Sequence, residues 1–140
     1  MHNPISWMAR ACLSVAACGC MVVGCGPKSV ARYDAEGTVV YDGKPLPRGT
    51  IRFEADASKG NHGPVGIAPI VDGSYSTASQ GSRGALCGPL VAVITGLPPA
   101  EPNAEFQLPL FEEYRIEAVL EPTGRGPTRL DFSVPKQTRP

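Results

Sequence analysis

Charge of either sign is scarce and evenly balanced: 13 basic and 13 acidic residues in 140 leave a formal net charge of zero. Without a net field the chain has no long-range grip on a phosphate backbone, which argues against nucleic acid as a partner. Histidine is almost missing. His2 and His62 are the two in the sequence, so histidine chemistry beyond the extreme N-terminus would rest on His62 alone. No G-x-S-x-G elbow accompanies it, which removes the usual basis for a hydrolytic triad. A metal site would have to join His62 to Asp56 or Asn61 without paired-ligand spacing. Gly81-Ser82-Arg83-Gly84 lacks the lysine and the helix start of a phosphate loop. Amphipathic helical periodicity is absent, and the uncharged stretch Ala11–Val23 is 13 residues long, against roughly 20 for a bilayer-spanning helix.

What is present is turn chemistry and cysteine. There are 16 glycines, 15 prolines and five cysteines, and Cys12, Cys18, Cys20 and Cys25 all fall in the first 25 residues. A charged start, with Arg10, followed by a short apolar core reads as a secretory signal. The core ends in Val22-Val23-Gly24-Cys25, followed by Gly26-Pro27. Small residues before a cysteine at that point resemble the lipobox of bacterial lipoproteins. The resemblance implies cleavage before Cys25, diacylglycerol on its thiol and an acyl chain on its new amino group. Cys18, after Val15-Ala16-Ala17, and Cys20 compete for this role. Each would leave apolar sequence still to come, so Cys25 is the expected lipidation site. Several acyl chains exceed the two-signal threshold for stable anchoring. Gly26 rather than Asp after the cysteine resembles the pattern that favours the outer membrane, giving an expected location in the cell envelope, lipid-anchored. Residues 1–24 are then the signal peptide and 25–35 a lipidated tether. Cleavage before Cys25 leaves 116 residues, tether included, with a charge of about −1 and Cys87 as their one unlipidated thiol.

Beyond the tether, strand-like runs alternate with turn signals. The expected strands are 37–41, 50–55, 65–71, 74–77, 90–95, 115–120 and 128–134, and residues 135–140 form a tail. Asp42-Gly43 and Asp72-Gly73 mark tight turns. Ile51, Phe53 and Ala55 alternate with Arg52 and Glu54, the period-two pattern of a half-buried strand. Seven short strands with Gly/Pro turns predict an all-β, antiparallel, two-sheet sandwich over 36–134. The expected core is Val39, Ile51, Phe53, Ile67, Tyr75, Leu90, Ala92, Ile94, Ile116, Leu120, Leu130 and Phe132. Gly96 to Pro109 is expected to be irregular.

The run Gly37-Thr38-Val39-Val40-Tyr41-Asp42-Gly43-Lys44-Pro45-Leu46, followed by Gly49-Thr50-Ile51-Arg52-Phe53, resembles small carboxypeptidase-regulatory-like lipoproteins of planctomycete-type bacteria. Weaker matches follow in order: Asp72-Gly73-Ser74-Tyr75, the Gly88–Ile94 strand, the segment ending at Tyr114, and Asp131-Phe132. The resemblance implies a prealbumin-like (transthyretin-like) seven-stranded β-sandwich without catalytic residues and without a cofactor beyond the lipid on Cys25. Asp42 and the nearby glycines have a sufficient structural reason to be where they are.

Two positions depart from that family's pattern. Val91 and Val93 stand where its outward strand face is usually polar, and Cys87 precedes them. Cover by the Pro-rich stretch would account for the valines; the sharper expectation is an interaction face for a partner protein or a second copy. Cys87 is expected to be semi-buried. The expected function is therefore a non-enzymatic envelope protein, structural or protein-interacting, partnered with the membrane through its anchor. The alternative is a surface glycan-binding module, for which Tyr33, Tyr41, Tyr75, Tyr114 and four phenylalanines are the aromatic resources.

Overall fold

The computed structural model describes residues 29–122 and 124–137. The expected signal segment and its cysteines, Cys25 included, lie outside them. The described chain is all-β. Nine strands run in order: β1 (Ala35–Tyr41), β2 (Lys44–Pro45), β3 (Arg48–Ala55), β4 (Gly66–Val71), β5 (Ser74–Ser76), β6 (Gly88–Leu97), β7 (Phe111–Leu120), β8 (Thr128–Arg129) and β9 (Phe132–Val134). A 3-10 turn at Ala57–Lys59 is the one helical element among them.

Seven strands form one curled sheet in the order β2-β1-β5-β4-β3-β6-β7, each pair antiparallel. β8 and β9 lie along β1 and run parallel to it, which corrects the expectation of a wholly antiparallel arrangement. The reason lies in β1 itself. Its first half pairs with β5 and β8 and its second half with β2 and β9, so the C-terminal segment returns beside the strand that opens the domain. The approach is close: a Cβ on Gly37 would lie 2.0 Å from the Leu130 carbonyl oxygen. Paired structure also begins inside the segment read as tether. Tyr33 bridges Ala85, and Ala35 is fully buried.

Both Asp-Gly pairs make the tight turns their sequence predicts. Asp42 and Gly43 have φ of 50° and 74°, and Asp72 and Gly73 have φ of 48° and 77°. Two successive positive φ values are the type I′ signature, whose twist matches that of the flanking strands. The turns join β1 to β2 and β4 to β5.

The core lines the concave side. Phe53, Tyr75 and Phe132 form an aromatic cluster with ring centroids 5.8–6.2 Å apart. Around it lie Val39, Ile51, Leu90, Ala92, Ile94 and Leu120, all buried, with Ile116 and Leu130 partly buried against them. The Tyr75 hydroxyl donates to the Leu130 carbonyl at 2.7 Å, which ties the cluster to the C-terminal segment and supplies the partner a buried phenol needs.

One core expectation fails. Ile67 faces outward and is half-buried, while Ala68 and Ile70 face inward. Gly-Ile-Ala-Pro-Ile-Val offers apolar residues on both faces, and the register with β3 decides between them. Ile51 pairs with Ala68 and Phe53 with Gly66; cross-strand partners share a face, so the two bulky β3 side chains sit opposite small ones. Outward placement also puts Pro69 where its missing N–H costs nothing. Ile67 N–H turns away from β3 to the Arg83 carbonyl, and Pro69, two residues on, points the same way, into the interval before β5 begins.

Candidate functional site

The outward face of β3, β6 and β7 holds the residues that sequence singled out. By alternation Val91 and Val93 lie on the face opposite the core. Val93 is nevertheless only 1% exposed and Val91 is half-buried. This corrects the expectation of an open apolar face at Val93.

The neighbouring strands carry long side chains on this face, beside both valines. Val93 is flanked by Arg52 on β3 and Arg115 on β7, and Val91 by Glu54 and Glu117. These side chains reach across β6 to one another. Arg115 Nη2 lies 2.6 Å from Glu54 Oε2, and Arg52 Nη2 lies 2.8 Å from Glu113 Oε1 and 3.4 Å from Glu54 Oε1. Lys59 Nζ extends the row to Glu117 at 2.6 Å. Arg52 and Arg115 flank Val93 on this face, and long charged side chains of this kind cover apolar neighbours with their stems while their heads stay wet. Exposed pairs of this kind stabilise by only ~0–1 kcal/mol each; excluding water from Val93 is worth more, on the order of 1.5 kcal/mol for a fully buried valine.

The residues weighed for metal binding have other duties. Asp56 caps the 3-10 turn, accepting from the Ser58 hydroxyl at 2.5 Å and the Ser58 N–H at 3.0 Å. The Ser58 hydroxyl is the largest of the influences that hold the Asp56 carboxyl below the usual carboxylate range, against a desolvation that raises it. Asn61 donates to the carbonyls of Pro89 (2.7 Å) and Cys87 (3.1 Å). His62 is exposed. Among the described residues no group of three His, Cys, Asp or Glu side chains is placed to hold a metal ion. Cys87 is exposed rather than semi-buried, because the buried positions beside it are taken by Ala85 and Leu86.

The aromatics divide sharply. Tyr75, Phe53, Phe111 and Phe132 are buried, and Tyr41 packs against Phe111 with ring centroids 4.8 Å apart. Phe106 is 95% exposed and Leu108 74%. Sequence reading missed this tip, since the stretch was expected only to be irregular. Its shape follows from the residue between them. The Gln107 side-chain oxygen accepts from Arg48, and its amide nitrogen donates to the Pro99 carbonyl at 2.8 Å. Arg48 also donates to the Pro98 carbonyl at 3.0 Å. A glutamine tied inward at both ends leaves its two apolar neighbours facing water. The polar-in, apolar-out inversion is visible in Glu105-Phe106-Gln107-Leu108 only once the Arg48 contact is known.

No protein-family model matches this chain, and no curated protein or solved structure matches it either.

Proposed function

We propose that this chain is a non-enzymatic, lipid-anchored protein of the cell envelope. Its β domain is a prealbumin-like sandwich acting as a structural or protein-interaction module, and Gly26 favours the outer membrane. The observation that carries the reading is the apolar segment Ala11–Val23 ending in Val22-Val23-Gly24-Cys25, followed almost at once by the domain. Arg32 donates to the carbonyls of Val65 (3.1 Å) and Gly84 (2.7 Å), so no long spacer separates the expected anchor from folded structure. Metabolic labelling with a palmitate analogue tests it: the label is expected on the parent chain and not on Cys25→Ala. A label that persists in that variant moves the anchor to Cys18 or Cys20, and no label on the parent removes the anchored reading.

Phe106 favours a second reading, a surface glycan-binding module, because a fully exposed ring beside a fixed amide suits a sugar face. Saturable retention on a cell-wall polysaccharide that is lost in Phe106→Ala would promote it.

A further inference from the structure

β7 ends the sheet, and its ten residues, Phe111–Leu120, contain neither proline nor glycine. It is the one long open edge among the described residues; β2, β8 and β9 are two or three residues each. A row of unpaired N–H and C=O groups of that length is a template for another strand.

Which groups are unpaired follows from β6. The Pro89 carbonyl accepts from the Asp56 N–H at 3.1 Å, so it points toward the β3 side. Leu90, Ala92 and Ile94 therefore turn their backbone groups toward β7, where they meet Ala118, Ile116 and Tyr114. Glu113, Arg115, Glu117 and Val119 turn theirs to the open edge. The same four carry their side chains on the outward face, in the order acidic, basic, acidic, apolar.

We propose that β7 pairs antiparallel with β7 of a second copy of this chain, centred on Ile116 facing Ile116. That register sets Arg115 opposite Glu117 of the second copy, twice, and Glu113 opposite Val119. About eight backbone hydrogen bonds form, all from groups now unpaired. On the other face Tyr114 meets Ala118 across the centre. These two and Ile116 are partly buried against the core and gain apolar neighbours. Neighbouring registers are worse. Centring on Arg115 or on Glu117 sets like charges opposite each other, which is destabilising. Centring on Tyr114 keeps the opposite charges but places Glu112 against Ile116, and centring on Ala118 shortens the overlap. Charged side chains or a proline guard many edge strands against pairing; the alternating signs on β7 make this edge complementary to a second copy of itself. The Arg115 and Glu117 side chains are 51% and 73% exposed, and an arginine has donors enough to keep Glu54 while reaching a second carboxylate.

This deepens the interaction-module reading, on which it rests, by naming the partner. The pairing can be trapped in the full chain carrying Cys87→Ser, so that every variant shares the same N-terminal cysteines. Directly opposed residues that do not exchange backbone bonds have Cα atoms ~4.5 Å apart, within disulfide reach. Ile116→Cys is therefore expected to give a dimer band under mild oxidation, on a non-reducing gel, at least tenfold stronger than the Cys87→Ser parent. Val119→Cys is the control: it is more exposed than Ile116 but lies far from its own copy in this register, so it should remain at background. Arg115→Glu should abolish the Ile116→Cys trap, and adding Glu117→Arg should restore it. Equal trapping at 116 and 119, no trapping at 116, or indifference to Arg115→Glu overturns the proposal. Palmitate labelling of Cys25 is read separately, so failure of the trap and failure of the anchor are distinct results.

Discussion

Gly49→Ala tests the reason for a glycine in the opening motif. Gly49 lies on β3, the strand with β4 on one side and β6 on the other, opposite Ile70 and Gly96. A Cβ there would stand 2.1 Å from the Thr95 carbonyl oxygen and 3.3 Å from Leu46 Cδ2. The first contact is with backbone inside a ladder, so β3 must retreat by about 1 Å, weakening its pairing on that side. Overpacking of this kind costs ~1–3 kcal/mol, and the loss of one ladder hydrogen bond adds ~1 kcal/mol, together about 2–4 kcal/mol. Gly43→Ala is the contrast. Its φ is 74° and nothing lies within 4 Å of the added methyl, so it meets only the left-handed backbone penalty of ~1–2 kcal/mol, offset by ~0.4–1 kcal/mol from a stiffer unfolded chain. With a urea slope of about 1.5 kcal/mol per molar, Gly49→Ala should lower the midpoint by about 2 M and Gly43→Ala by under 1 M. Far-UV circular dichroism in urea reads both, independently of Trp7. A Gly49→Ala midpoint equal to the parent, or a larger loss in Gly43→Ala, would refute the reasoning.

Phe53→Ala removes the side chain at the centre of the aromatic cluster, between Tyr75 and Phe132. It should cost ~3–5 kcal/mol in the same urea assay; an unchanged midpoint would mean the cluster does not hold the core. Acid should also unfold the domain in a residue-specific way. Arg129 first, and then the Thr38 N–H and hydroxyl, hold the Asp131 carboxyl below its ordinary value of 3.8. A group lowered on folding contributes stability that is complete above its unfolded value and is lost as pH falls through its folded one. Asp131→Asn should therefore flatten the fall in urea midpoint below about pH 4, leaving a remainder from Asp56, which is shifted the same way.

The legible parts of this fold are those whose signals are local. An Asp-Gly pair needs only its own two φ angles, and Ile51-Arg52-Phe53-Glu54 announces its inner face because one parity is apolar and the other charged. β4 defeats that logic, since Ile67 and Ile70 compete for the interior and the outcome is set by Ile51 and Phe53 across the strand. Leu46 and Phe111 are buried although each sits beside turn or proline signals. Both close the same end of the core: Phe111 stacks on Tyr41, and Leu46 Cδ1 and the Phe111 ring both close around Gly96. At the candidate site, sequence located the valine pair on its correct face. What hides Val93 is a set of charges from two other strands, and no spacing within β6 encodes their reach.

The proposed edge pairing and the proposed anchor constrain each other through direction. β3, β6 and β7 run the length of the domain, and β3 alone, at ~3.3 Å per residue, spans about 26 Å. Arg32 is pinned at the end where Val65, Gly84 and Ala85 meet, while the Phe106 tip lies at the other end with Arg48 and Leu97. An antiparallel β7 pair is related by a two-fold axis normal to the sheet, so the Arg32 end of each copy, where the proposed anchor attaches, would lie beside the other's Phe106 end. Seven residues from Cys25 to Arg32 reach at most about 25 Å. Two such tethers enter one membrane only if the strands lie along its surface, with both copies presenting the same sheet face to the lipid. Strands standing upright would send the two anchors in opposite directions, into two facing membranes. The proposed β7 pairing and the proposed anchor together would therefore select between a flat dimer on one bilayer and a bridge between two, and the proposed register leaves no parallel arrangement that keeps both tethers at one end.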